Sequence, residues 1–404
     1  MARLVLAPIL ILTSFMRVAP AVAADSDPKP LEIGQPAPDF DLPGVDGKNH
    51  QLAEYREAKI LVVVFTCNHC PTAQAYDDRI SKLDKDFKDK GVKLIAISPN
   101  DPKALRLDEL GYTEFSDGFD EMKIRAKDKD FKFPYLYDGE NQKVSRAFGV
   151  LATPHVFIFD ADRKLRYQGR IDNSDVHEVT SRDAQNAIEA LLAGKPVPVE
   201  TTRVFGCSTK WSDKRQTVVD SLKKWDDEPV ALETIDPAGV AKLAKNDTDK
   251  LLLVNVWATW CGPCVEELPQ LVEMNRMYRR RPGHATANAT GKGDSDRPFA
   301  FEFVTISLDE ASDKAAALAE LKTAHASGSN YLFDNTDRDK LADALDPKWS
   351  GPVPFTALIA PGGKVIYRHS GPIEPVEVKR AIVDFLGRTY AEKKDPKEPA
   401  NKQP

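Results

Sequence analysis

The sequence predicts an α/β protein of two tandem copies of one unit, each a central sheet flanked by helices with a cysteine pair at a strand-to-helix junction. Three observations carry this. The chain has 404 residues, too many for one ordinary domain of about 100–200 residues. Two C-x-x-C pairs, Cys67/Cys70 and Cys261/Cys264, each follow a short apolar run, Lys59 to Thr66 (KILVVVFT) and Lys250 to Ala258 (KLLLVNVWA). Such runs are the pattern of a strand buried on both faces. Finally, the same order of elements follows both pairs.

After the first pair a helical pattern runs from Thr72 to Lys88 and a strand from Val92 to Ser98; after the second, a helix from Val265 to Tyr278 and a strand from Phe301 to Leu308. Tyr135 to Asp138 (YLYD) answers Tyr331 to Asp334 (YLFD), and Thr153 to Ile158 (TPHVFI) answers Val353 to Leu358 (VPFTAL). Each copy then turns through a polar corner, Asp160 to Lys164 or Pro361 to Lys364, into a last strand, Leu165 to Gln168 or Val365 to Arg368. The distances agree too: 87 positions separate Cys67 from Pro154 and 93 separate Cys261 from Pro354. One duplicated unit explains all of these at once.

The division along the chain follows from composition. Residues 1–23 read as a signal peptide, with Arg3, the apolar run Leu4 to Leu12 and the small residues Ala21-Val22-Ala23. A membrane span needs about 20 apolar residues, and Arg17 interrupts the run. The expectation is export to the periplasm or cell envelope of a bacterium, with no stable span after cleavage. The first copy occupies 31–193. Gly194, Pro196 and Pro198 then disfavour helix and central strand, so 194–230, with Cys207, Trp211 and Trp225, reads as a connecting segment. The second copy occupies 231–390, interrupted from Arg279 to Pro298 by a segment rich in Gly, Ala, Thr and charge that reads as a mobile loop. Residues 391–404 read as a disordered tail. Apolar residues at 42% and charged residues at 29% describe an ordinary soluble protein, and a net charge of −6 gives no basic field for nucleic acid.

Five cysteines form two pairs and leave Cys207 over. Two intervening residues close almost no loop, so neither pair serves as a structural staple. Around the second pair (WATWCGPC), a strand delivers Cys261 to a helix N-terminus, where unpaired amides and the dipole favour a thiolate. Gly262 and Pro263 complete the turn, Pro263 fitting the first helical turn where no amide proton is needed. The i, i+3 spacing puts Cys264 on the same face, within reach of a mixed disulfide. Neither pair has the spacing of a zinc ribbon or the following His of a haem attachment motif, so no metal or other cofactor is expected.

The second copy resembles the thioredoxin superfamily, and the run Cys264 to Pro269 (CVEELP) looks like exported reductases of the TlpA/ResA type. That resemblance implies a thioredoxin-like mixed sheet, an attacking Cys261 and a resolving Cys264. It places Pro354, and Pro154 in the first copy, at the cis-proline that presents backbone to substrate. Glu267 falls on the acidic residue that tunes the pair, against an ordinary solvated helix face as the alternative, and Asn255 stands where thioredoxin has a buried aspartate. Trp257 and Trp260 read as packing aromatics, with Trp260 shaping the surface around Cys261. The clients implied are proteins with a disulfide or dithiol, apocytochrome c among envelope proteins, together with an envelope electron donor or acceptor.

The first copy opens with Ile33 to Phe40 (IGQPAPDF) and carries Phe65 to Pro71 (FTCNHCP); it resembles the redoxin branch that includes AhpC/TSA-like and peroxiredoxin-like proteins. The P-x-x-x-T-x-x-C run of a peroxidatic cysteine does not precede Cys67 or Cys70. Thiol exchange, a non-catalytic protein-binding module and a thiol peroxidase remain as readings of this copy. His69 lies inside the pair, and as imidazolium it stabilises the thiolate and makes the pair more oxidising than Cys261/Cys264, within a span of about −270 to −120 mV for such motifs; the alternative is an exposed, neutral His69. Cys207 is either a buried inert thiol or a relay or intermolecular thiol, and His155, beside Pro154, is an ordinary residue unless it meets substrate.

Overall fold

The structure is a computed structural model that describes residues 28–281, 300–335 and 337–391. The segment read as a signal peptide, most of the segment read as a mobile loop and the expected disordered tail beyond 391 lie outside the described residues.

The first copy begins with a short hairpin, β1 (Asp41–Pro43) and β2 (Asn49–Gln51), ahead of β3 (Ile60–Phe65). Every residue of β3 is buried, as its unbroken apolar run requires. It feeds α1 (Pro71–Phe87), followed by β4 (Val92–Ser98), α2 (Phe119–Asp128), β5 (Tyr135–Tyr137), α3 (Lys143–Phe148), β6 (Ala152–Thr153), β7 (His155–Phe159), β8 (Leu165–Gly169) and α4 (Asp183–Leu192). The sheet order is β5-β4-β3-β7-β8, parallel among the first three strands and antiparallel beyond β3. One face carries Val62, Val64, Tyr76 and Ile80, the other Leu61, Val63, Phe65 and Phe148, as period-2 alternation demands.

Next come β9 (Cys207–Ser208) and α5 (Arg215–Asp226), then β10 (Glu233–Ile235), α6 (Pro237–Lys245), β11 (Leu251–Trp257), α7 (Gly262–Tyr278), β12 (Phe301–Ser307), α8 (Lys314–Thr323), β13 (Ser329–Phe333), α9 (Arg338–Leu345), β14 (Phe355–Ala360), β15 (Lys364–Ser370) and α10 (Pro375–Leu386). The second sheet runs β10-β13-β12-β11-β14-β15, again parallel up to β11 and antiparallel after it. Five of its strands repeat the first sheet in the same order, and β10 adds an edge. The chain therefore holds two thioredoxin-like α/β folds in series, with mixed sheets flanked by helices.

The copies are packed together. Leu105 and Leu110 of the first join the apolar cluster formed by Leu268, Leu271 and Met274 of α7. Polar contacts lock this join: the Tyr278 hydroxyl donates to the Thr113 carbonyl at 2.8 Å, and Arg281 donates to the carbonyls of Gly111 (2.9 Å) and Gly387 (2.7 Å). Glu114 pairs with Arg388 and with Arg380. Among the described residues no helix is long and apolar enough to cross a membrane.

Candidate functional site

Both cysteine pairs lie where a fully buried central strand ends and a helix begins, so β3 and β11 each deliver sulfur to a row of unpaired amides. Where the proline falls decides which sulfur meets them. Pro263 lies inside the second pair, α7 starts at Gly262, and Cys261 is the N-cap. Pro71 follows the first pair, α1 starts at Pro71, and Cys70 is the N-cap, its Sγ accepting the Ala73 amide at 3.4 Å.

In the second copy Cys261 and Cys264 form a disulfide. Cys264 is fully buried and Cys261 nearly so, while the neighbouring Trp260 is 54% exposed, with the Arg338 guanidinium 4.9 Å from its ring centroid. Trp257 is buried in the core. A side chain at Gly262 would meet nothing within 4 Å, so the turn faces open space. The Val353-Pro354 bond is cis. Glu267 lies one turn beyond Cys264 on the same helix face and is only 4% exposed, so the solvated-face alternative fails: core packing holds this carboxylate inward. It accepts from the Asn255 side-chain amide at 3.0 Å and from the Ile373 amide at 3.0 Å. Burial nevertheless outweighs these donors and raises its pKa above the usual carboxylate value. Asn255 also donates to Thr356 Oγ1 at 3.1 Å, so it orients Glu267 where thioredoxin's aspartate would stand.

The first copy differs in the state and surroundings of its cysteines. Cys67 and Cys70 are free thiols and both are buried. Cys67 Sγ lies 3.0 Å from Thr153 Oγ1, and the Cys70 thiol reaches the Thr153 carbonyl at 3.4 Å; the following Thr153-Pro154 bond is cis. His69 is not exposed, as one reading of the sequence allowed, but 1% accessible, its Nδ1 2.6 Å from Asp117 Oδ2. Asp117 also accepts the amides of Asn68 and His69 and the side chain of Asn100. Burial works against the imidazolium, but the Asp117 charge prevails and raises the His69 pKa. Asp117 in turn is held below its usual range despite burial.

Among the thiols, burial and the hydrogen bond to Cys70 push Cys67 well up. Burial also acts against a Cys70 thiolate, but hydrogen bonds from Cys207 and Cys67, the His69 charge and the Ala73 amide bring it well below an ordinary thiol. Cys207 thus has a partner: its backbone N–H donates to Cys70 Sγ at 3.3 Å, and it packs on the Cys67–Cys70–Ala73 cluster. Asp117, Thr153 and Cys207 were not picked out as members of this site from sequence. The odd cysteine count was the one signal for Cys207, while Asp117 in Ser116-Asp117-Gly118 reads as a turn. His155 is buried, between the Leu151 amide on Nδ1 and Gln168 on Nε2, and burial lowers its pKa to about 4, which keeps it neutral at neutral pH. Cys67, His69 and Asp117 also bring three ligand-type atoms within 4.8 Å of one another. The Asp117 oxygen nearest His69 is already shared with His69 and Asn100, which fits an ion pair better than a metal centre.

Two cysteine pairs at strand-to-helix junctions, one a dithiol and one a disulfide, each in a copy with a cis-proline, define the class of protein: a thiol–disulfide redox enzyme. Residues 33–168 match the AhpC/TSA family. The thiol–disulfide oxidoreductase ResA of Geobacillus thermodenitrificans is 25% identical over 138 residues, which cover 34% of this chain and 68% of that one. The thiol:disulfide interchange protein DsbE of Yersinia pestis is 26% identical over 175 residues, 41% of this chain and 81% of that one. A Mycobacterium tuberculosis protein with a peroxiredoxin name is 38% identical over 138 residues, 33% of this chain and 82% of that one. Among solved structures, a conserved protein of Geobacillus kaustophilus is 36% identical with a TM-score of 0.41, covering 45% of this chain and 93% of its own. The chain belongs to the thioredoxin superfamily, with an AhpC/TSA-family redoxin domain as its first copy.

Proposed function

We propose that the second copy, residues 231–390, is the outward-facing thiol–disulfide oxidoreductase of an exported, envelope-located protein, and that Cys261 and Cys264 carry the exchange with client proteins. The observation behind this reading is the open turn at Gly262 beside the exposed Trp260, with Cys261 the more accessible sulfur of its pair. In the reductive direction the Cys261 thiolate, stabilised at the N-cap of α7, attacks a client disulfide. A mixed disulfide forms and one client thiolate leaves with a proton. Cys264 then attacks Cys261 Sγ, the second client thiol departs, and the Cys261–Cys264 disulfide remains. Glu267, with its raised pKa, is a proton holder for Cys264, and the Val353-Pro354 backbone supports the client strand. The names of the ResA and DsbE relatives support thiol–disulfide exchange, and the signal-like N-terminus and the TlpA/ResA resemblance support envelope clients, apocytochrome c among them.

The test is reduction of insulin disulfides by the full chain with dithiothreitol as donor. Cys261→Ser is expected to abolish turnover, and Cys264→Ser, which keeps Cys261, to trap a mixed disulfide with the client; turnover surviving in Cys261→Ser overturns the reading. A second reading, peroxide reduction by the first copy, is favoured by the peroxiredoxin-named relative. The burial of Cys67 and Cys70 stands against it, and hydrogen peroxide consumption that depends on Cys67 or Cys70 would establish it.

A further inference from the structure

Cys207 lies in what reads as a connecting segment, yet the segment is built into the first site. Strand β9 pairs antiparallel with β6, setting Cys207 opposite Thr153, the residue before cis-Pro154. The chain is clamped on both sides of it. Upstream, Gln168 and residues 200–202 exchange backbone hydrogen bonds of 2.9 and 3.1 Å, and Thr202 Oγ1 lies 2.8 Å from the Tyr167 hydroxyl. Downstream, the Lys210 amide donates to Asn100 Oδ1 at 2.9 Å and its ammonium pairs with Glu109 at 2.6 Å, and Trp211 is buried under the Arg146 guanidinium. At Gly206, with φ at +141°, an added Cβ would lie 2.0 Å from the Thr153 carbonyl oxygen. Only glycine permits so close an approach, so the fit of this segment onto the cis-proline strand is specific.

A strand laid antiparallel on the residue before the cis-proline, presenting a cysteine to the pair, occupies the place of a client polypeptide. Cys70 is the shared sulfur: the Cys207 amide donates to it at 3.3 Å, and Cys207 packs against the cluster that Cys67 and Cys70 form with Ala73. We propose that Cys207 is a third redox thiol of the first centre, an internal client that exchanges with the Cys67–Cys70 disulfide to give a Cys70–Cys207 disulfide.

The step balances. Deprotonated Cys207 Sγ attacks Cys70 Sγ, the Cys67–Cys70 bond breaks as the Cys70–Cys207 bond forms, and Cys67 leaves as a thiolate that takes up the proton Cys207 gave up. The number of disulfides is unchanged. The first disulfide comes from a protein disulfide, itself reduced to a dithiol, so this proposal rests on the thiol–disulfide activity proposed above. The low position of Cys70, with Cys67 and Cys207 held as thiols, agrees with Cys70 as the common partner, because it leaves two protonated neighbours bonded to one thiolate.

Disulfide mapping tests this without turnover. The full chain is oxidised with glutathione disulfide, alkylated and digested with trypsin. Cys67 and Cys70 fall in one peptide, 60–79, and Cys207 in another, 204–210. Wild type is expected to give a 60–79/204–210 cross-link alongside the internal 60–79 disulfide. Cys67→Ser is expected to drive the cross-link to near completion, and Cys70→Ser to lower it at least tenfold. As a check that does not need a cysteine variant of the pair to fold, Cys207→Ser is expected to change the midpoint potential of Cys67/Cys70 and leave that of Cys261/Cys264 unmoved. Glutathione on Cys70 with Cys207 alkylated, in both wild type and Cys67→Ser, overturns the proposal, as does a stoichiometric metal ion bound by the three thiols. Insulin reduction by Cys207→Ser is expected to be unchanged. Loss of insulin reduction in Cys261→Ser is read separately, so the two readings fail independently.

Discussion

Two copies of one fold carry two cysteine pairs that differ by the place of a single proline, and the difference reaches the chemistry. In the second pair proline lies between the cysteines, the helix begins at Gly262, and the first cysteine is the N-cap residue; in the first pair proline follows, the helix begins at Pro71, and the second cysteine is the N-cap, its sulfur accepting the Ala73 amide. Proline is favoured at the first helical turn because it needs no amide donor there, so its position sets where the helix starts and which cysteine stands at its N-terminus. The surroundings follow the same division. Cys261 borders open space beside an exposed tryptophan, whereas Cys67 and Cys70 lie beneath β9 with the buried His69–Asp117 pair behind them. On the functions proposed above, one site meets other proteins and the other its own chain.

The largest expected effect breaks that comparison directly. Cys261→Ser should lower insulin reduction by about 10²-fold or more, since the nucleophile itself is lost. Replacing Cys67 and Cys70 together by serine should change it by less than about twofold, because sites without shared partners act independently. Equal losses in the two variants would mean that electrons pass through both pairs in series.

Next is the ion pair under the first site. His69→Ala leaves Asp117 charged and buried without its partner, and breaking such a pair costs about 3–5 kcal/mol. The pH dependence has a definite sign. The His69 pKa is raised in the folded state, so its contribution is fully present below the unfolded value of about 6.5 and fades as pH rises through the raised value. The Asp117 pKa is lowered, so its contribution is present above about 3.9 and fades as pH falls through the lowered value. The stability gap between wild type and His69→Ala in urea denaturation should therefore be widest between about pH 4 and 6.5. A gap that does not change with pH would show that the pair is not ionised.

Smaller again is the effect of opening the first site. At Gly206 alanine would meet the Thr153 carbonyl at a forbidden distance and adopt a φ of +141°, a strain of about 1–3 kcal/mol. Gly206→Ala should be relieved by lifting residues 205–208, and Cys207 should then react with a maleimide several-fold faster while Cys261/Cys264 titrates as before. Unchanged labelling would mean that the segment does not shield the thiols.

How much of this could be read in the sequence depended on how far apart the cooperating residues lie. The central strands, the helices after each pair and the repeat of the two sheets were legible because each rests on local periodicity, as in β3, β4 and β12. Neighbours of the second pair were legible because Gly262, Pro263 and Glu267 are adjacent to it in the chain. The inward turn of Glu267 was not, since burial is decided by α10 and Ile373 arriving from about 100 positions away. Asp117 and Cys207 were missed for the same reason: one is 48 positions from His69 and the other 137 from Cys70, and neither stands in a pattern that marks a partner. A surplus cysteine was visible, but only the pairing of β9 with β6 shows where it goes.

The finest expected difference concerns redox poise, and it follows from which protonation state each site favours. A dithiol whose thiolate is stabilised is harder to oxidise, so the pair is the stronger oxidant as a disulfide. In the first site Cys70 is held low, against burial, by the Cys207 and Cys67 thiols, by the His69 charge and by the Ala73 amide. In the second, no side chain of the pair accepts a capping hydrogen bond, and the buried group one turn away is a carboxylate of raised pKa, which gives a thiolate no comparable support. The Cys67/Cys70 midpoint should therefore lie above that of Cys261/Cys264, by on the order of 50 mV within the span of such motifs. Glutathione titration of the two double-serine variants measures this. Since His69 is one of four groups acting on Cys70, His69→Ala should close part of the gap and no more; closing all of it would make the imidazolium the sole cause, and leaving it untouched would assign the difference to the thiol and amide donors alone.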